Sequence, residues 1–305
     1  MLAVTLRGRA WAACARRMVI GLVLFVGLPM PIAMSVELPL FDLLKQLDRA
    51  APIAPVPQRL AAMRSAYTQA APVRMERSQC MAQTDGRLED LFQATALIAF
   101  YARDTSSLDR LQCLHDALVT RGQASAAHHR ALRGTLISLQ QFERANAVGA
   151  ALADAGAPLP TIRGSIPQGK PLLGLISFDE AERVALSEDG LRVVAMVHPY
   201  CGFSRRALEA ITSQAQYAWL RPHLQLVVPI GQQWPGQEMM DWNTAHADLP
   251  MRPMVVDPAW AGFEQNETPA FHLVRDGTVI ATVTGWRGEG AELGAIRAAW
   301  DAGQR

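Results

Sequence analysis

The side chain in this sequence best placed for covalent chemistry is Cys201, in the string His198-Pro199-Tyr200-Cys201-Gly202-Phe203-Ser204. The mostly apolar run 191–197 reads as a strand, and residues 204–217 can form a helix, so the thiol stands where a strand hands over to a helix. Unpaired N–H groups and the positive end of the helix dipole stabilise a thiolate there. They lower the thiol's pKa and enlarge its reactive fraction at neutral pH. Ser204 offers a hydroxyl that can donate a hydrogen bond to the thiolate and cap the helix. His198 can either polarise this site or simply close the strand.

The other cysteines are Cys14, Cys80 and Cys113. Cys14 lies in a segment with a basic start (Arg7, Arg9, Arg16, Arg17), an apolar run over 18–28, and Pro29 and Pro31 before small residues. This is the three-part pattern of a secretory signal peptide, with Ala33-Met34-Ser35 as the cleavage site. The apolar run is shorter than the ~20 residues a permanent span needs. Residues 1–35 are therefore expected to be a removed signal peptide and the remainder to be exported. An uncleaved anchor would leave the same part outside but tethered to the inner membrane. Loss of Cys14 leaves three cysteines in an oxidising space, an odd set. A structural disulfide between Cys80 and Cys113 would close a loop worth about 3–4 kcal/mol and leave Cys201 free. Two alternatives stay open: a redox pair that resolves Cys201 from within, and a metal site with His115. The latter lacks a second short ligand pair, and neither metal nor cofactor is expected.

The elements that must position these residues differ between the two halves of the chain. Residues 36–157 read as a helical domain of four or five helices. Leu88, Leu91, Phe92, Thr95, Ile98, Ala99 and Ala102 recur at helical spacing, and Leu108, Leu111, Leu114 and Leu118 repeat it after a break at Asp104-Thr105-Ser106, where Ser or Thr can cap the next helix. A Pro-rich gap at 52–57 interrupts the first amphipathic segment. Residues 125–155 form a third helical stretch, ended by Gly156-Ala157-Pro158. His128 and His129 read as a solvated face of it. Residues 158–174, rich in Pro and Gly, read as a linker. Beyond them, strands at 191–197 and 224–228 flank the Cys201 helix as a β-α-β unit, and a helix is expected at 237–247. Two further strands, 270–274 and 278–284, meet at an Asp276-Gly277 hairpin signal, and a helix from 289 to 302 follows. Trp234, Trp242 and Trp260 read as core residues or as the lining of a peptide groove.

This order of elements, with the cysteine at a helix start and Thr268-Pro269 directly before the hairpin, resembles the thioredoxin-like superfamily over about residues 175–303. The resemblance implies an α/β C-terminal domain, 175–305, three-layered around a central mixed sheet, behind an all-α N-terminal domain. It further implies a cis-proline loop, Thr268 and Pro269, facing the nucleophile, with Tyr200, Gly202 and Phe203 as substrate contacts. The run Ala270-Phe271-His272-Leu273-Val274-Arg275-Asp276-Gly277, closed by Gly285-Trp286, is similar to exported bacterial thiol-disulfide isomerases and reductases, which implies the periplasm. Cys201-Gly202-Phe203-Ser204 is instead similar to the monothiol glutaredoxin string, which implies glutathione and iron-sulfur binding, but the upstream lysine and the glycine-glycine-aspartate contact of that family are missing. Ser204 stands where the oxidoreductases carry their second cysteine and cannot resolve a mixed disulfide. The implied activity is therefore one-cysteine disulfide exchange, with release by a thiol from elsewhere.

The remaining composition sets limits on the partners. Half of the 305 residues are hydrophobic and 19% are charged, which suits a folded chain. A net charge of +1 supplies no basic field for nucleic acid. The expected partners are cysteine-containing envelope proteins or a redox protein, with a homo-oligomer through the helical domain as a further option. The competing reading is a non-catalytic interaction or assembly factor of the cell envelope.

Overall fold

The computed structural model describes residues 38–50, 56–71, 75–288 and 290–303. The expected signal peptide with Cys14, and the expected start of the last helix at Glu289, lie outside these residues. The first part of the chain is helical: α1 Leu40–Ala50, α2 Val56–Ala70, α3 Arg77–Met81, α4 Asp85–Ala102, α5 Thr105–Thr120, α6 Ala126–Ser138 and α7 Phe142–Gly149. These seven, among the described residues, exceed the four or five expected. The proline-rich gap contributes α2, because Pro57 falls in its first turn, where a missing N–H costs nothing. The 125–155 stretch divides in two at Gln140, whose φ of 55° cannot continue a helix.

The spaced residues of α4 and α5 are buried except Ala102, which is half-buried, and two residues join the helices. Arg103 ends α4 with a φ of 47°, and Asp104 begins α5, its carboxylate accepting the Ser107 N–H at 2.8 Å. The cap is thus Asp104, since its short carboxylate reaches the third N–H from an extended backbone, and not the Ser or Thr beside it. His128 is another correction. It is buried in the first turn of α6, its Nδ1 accepting the Ser125 N–H and its Nε2 lying 2.9 Å from Glu89, while its ring meets Phe92 edge-on. His129 pairs with His115 at 3.0 Å. An imidazole is apolar enough on its faces to enter a core once its nitrogens are satisfied.

Eight strands follow among the described residues. The Pro- and Gly-rich segment at 158–174 carries β1 Thr161–Arg163 and leads into β2 Pro171–Leu175. With β3 Glu180–Ala185 these make a small sheet in the order β1-β3-β2. The larger sheet contains β4 Leu191–Met196, β5 Leu224–Val228, β6 Met251–Pro253, β7 Ala270–Arg275 and β8 Thr278–Thr284, in the order β6-β5-β4-β7-β8. It is mixed: β4, β5 and β6 run parallel, and β7 and β8 antiparallel to their neighbours. The β7-β8 turn has positive φ at both Asp276 and Gly277, which fits the twist of a two-residue hairpin. Three helices connect or close this part: α8 Gly202–Ser213, α9 Gly236–Ala245 and α10 Ala291–Gly303.

Alternation along the central strand β4 organises the core. Val193, Ala195 and Val197 join Leu208 and Ile211 of α8 and Leu293 and Ile296 of α10. Val194 and Met196 join Leu172 of β2, Leu186, Trp260 and Phe263 in a second, smaller core. The first core continues without a break into the helices of the first part, and from Leu38 onward the chain forms one compact unit. Phe142 of α7 meets Trp234 at a centroid distance of 4.9 Å, and Gln140 donates to the Met254 carbonyl at 2.7 Å. The described residues contain no helix long and apolar enough to cross a membrane.

Candidate functional site

Cys201 is the N-cap of α8, five residues beyond the end of β4. Its backbone is extended, its N–H donates to the His198 carbonyl at 2.9 Å, and its carbonyl accepts the Arg205 N–H at 3.0 Å. The side chain is half-buried and turns to the loop before β7, where Sγ lies 3.1 Å from the Thr268 carbonyl oxygen. The Thr268-Pro269 peptide is cis. Burial pushes the Cys201 thiol up. The Ser204 N–H, the side chains of Thr268 and Ser204 and the Phe203 N–H pull it down and together prevail, so the thiol sits below its ordinary value.

Ser204 lies in the first turn of α8 and is 1% exposed. Its hydroxyl accepts the His198 N–H at 3.2 Å, which fixes the oxygen and leaves the proton available to the sulfur. Capping of α8 does not fall to Ser204, because the N-cap is Cys201 itself. His198 is held by the Tyr200 N–H, which donates to Nδ1 at 3.3 Å. Burial lowers the His198 pKa, against a weaker opposite pull from Glu238, and the ring packs against that of Tyr200 at a centroid distance of 5.4 Å.

Tyr200 and Phe203 are 50% and 54% exposed, an unusual degree for large rings flanking a thiol. The Tyr200 hydroxyl donates to Glu238 of α9 at 3.1 Å, and the Arg206 guanidinium lies 4.7 Å from the Phe203 ring centre. A groove of about 740 Å³ runs from His198 and Tyr200 between α8 and α9, with Trp242 on its wall and the carboxylates of Glu209, Glu238 and Asp241 along it. Of the other tryptophans, Trp260 is buried core and Trp234 is partly buried against α7. Glu238 and the acidic groove went unnoticed in the sequence, where helix 237–247 carries no mark pointing to Tyr200, 38 residues upstream of Glu238.

The structure therefore brings Cys201, Ser204 and Thr268 into contact, with Tyr200 and Phe203 at the rim, Gly202 opening the helix and Pro269 following Thr268. Cys80 and Cys113 are elsewhere. They form a disulfide with Cα atoms 6.1 Å apart that ties α3 to α5, which overturns the metal reading with His115. Cys80 is fully buried and Cys113 half-buried, and Cys201 is the free thiol of the described residues. A scan against protein-family models and a search of curated proteins found no match to this chain.

Proposed function

We propose that this protein is an exported thiol-disulfide exchange protein with a thioredoxin-like C-terminal part, acting on cysteines of envelope proteins through Cys201. The observation that carries the reading is the setting of that thiol. It belongs to the N-cap residue of α8, touches the Thr268 carbonyl and has its anion favoured by the surrounding donors. Export and a periplasmic place rest on the signal-peptide pattern of residues 1–35.

The chemistry follows from having one sulfur. The Cys201 thiolate attacks one sulfur of a substrate disulfide. A Cys201–substrate disulfide forms, the substrate's own disulfide breaks, and the departing thiolate takes a proton from solvent. Ser204 has no sulfur with which to reverse the adduct. A second substrate thiol, or a small thiol, must attack next, forming the new disulfide and returning Cys201 as a thiolate. Electrons balance over the cycle, so the net reaction is rearrangement or exchange with no external oxidant. Tyr200 and Phe203 offer apolar surface to the chain around the substrate disulfide.

The test is formation of a covalent adduct on Cys201 with 2-hydroxyethyl disulfide, followed by intact mass and peptide mapping. The expected result is a single adduct on Cys201, removed by added thiol and absent in Cys201→Ser. Failure of Cys201 to form it in the folded protein contradicts the reading and favours a non-catalytic binding role.

A further inference from the structure

A second hollow, of about 290 Å³, shares His198 with the acidic groove but is otherwise built from different residues. Thr268, whose carbonyl touches the Cys201 thiol, forms part of its wall. The helical part of the chain supplies another part, through Arg59 of α2 and Phe100, Tyr101 and Arg103 at the end of α4. The lining has two guanidinium groups and no carboxylate, whereas the groove across His198 has the carboxylates of Glu209, Glu238 and Asp241 against the one guanidinium of Arg205.

The two arginines differ. Arg59 is held by Asp48 at 3.0 Å and lies over the Tyr101 ring, and its Nε is buried with no partner. Arg103 has no ion-pair or hydrogen-bond partner for its guanidinium among the described residues. Asp104, the acid next to it in sequence, is taken by Arg64 and by the Ser107 N–H. Burial works against the Arg103 charge. A partly buried, uncompensated guanidinium is costly to hold unless something anionic meets it, and its fork of donors matches a carboxylate.

We propose that this hollow is a carboxylate subsite for the sulfur compound that reacts with Cys201, with Arg103 receiving the acidic group. The proposal rests on the exchange reading above and adds the chemical class of the reactant, a disulfide or thiol carrying a carboxylate a few bonds from its sulfur. In the step concerned, Cys201–S⁻ and R–S–S–R give Cys201–S–S–R and R–S⁻, where R ends in the carboxylate that Arg103 holds.

The test compares three symmetric disulfides in adduct formation on Cys201: 3,3′-dithiodipropionate, neutral 2-hydroxyethyl disulfide and cationic cystamine. Each rate is divided by that of a small free thiol with the same disulfide, to remove intrinsic reactivity. The expected order is anionic, neutral, cationic, with the anionic compound favoured about tenfold over the neutral one, the scale of one charge-assisted contact. Arg103→Gln should bring the ratio of the anionic to the neutral rate down to about one. In the wild-type protein, added propionate should slow the anionic disulfide alone, a measurement that holds even where the variant does not fold. Equal normalised rates, a preference that survives Arg103→Gln, or no competition by propionate would overturn the subsite while leaving exchange intact. Inertness of Cys201 to all three would instead remove the exchange reading, and the subsite with it.

Discussion

A thiol at the first turn of a helix faces N–H groups that have no carbonyl partner, and that fact does most to define Cys201. Ser204 adds a hydroxyl whose oxygen is already fixed by the His198 N–H. Ser204→Ala should therefore act twice. It removes a donor to the sulfur, so the pH midpoint for alkylation of Cys201 rises. It also leaves the half-buried His198 N–H without its partner, at a cost of up to about 1 kcal/mol in urea unfolding. An unchanged midpoint in this variant would show that Ser204 is structural only. At this scale the sequence string 198–204 and the Thr268-Pro269 pair were legible, because they are local and carry sulfur or turn chemistry. Arg103, Glu238 and the buried His128 were not. Each takes its role from a neighbour distant along the chain, and nothing in a lone Arg or Glu records that.

Among the elements, β4, α8, β5, β7 and β8 were readable from their periodicity and from the Asp276-Gly277 turn, with ends shifted by a few residues. The short β1 and β6, the charged β3 and the split between α6 and α7 were not. β3 reads Glu-Ala-Glu-Arg-Val-Ala, with only Ala181 buried, so its apolar signal is faint. The meeting of α6 with the sheet part depends on Gly134, where an added Cβ would stand 2.8 Å from Cβ of Gln232. A Cβ is fixed to its backbone, so the 231–233 loop would have to move. Gly134→Ala should lower the thermal midpoint despite the higher helix propensity of alanine, and Gly86→Ala in α4, with open space around it, should gain about 0.4–1 kcal/mol. Stabilisation by both variants would mean that α6 and this loop do not touch.

For the whole molecule, a shared hydrophobic core joins the helices to the sheet, and the end of α4 reaches the hollow beside Thr268. This nonlocal meeting is what a sequence divided into helical and α/β stretches could not reveal. It gives the helical part a place at the site: Arg59, Phe100, Tyr101 and Arg103 line the hollow on its side, whereas the groove between α8 and α9 belongs to the α/β part alone. The Cys80–Cys113 disulfide ties α3 to α5 within the same helical part. The central claim is that folding, rather than the thiol itself, lowers the pKa of Cys201 below that of a free cysteine. It is tested most directly by the pH dependence of iodoacetamide labelling of Cys201, measured in the folded protein and in urea. Labelling rises as the thiol loses its proton, so the account predicts a folded midpoint below the unfolded one, which should lie near the free-cysteine value of about 8.5. A folded midpoint at or above the unfolded one, or a Cys201 that resists labelling throughout, would contradict it.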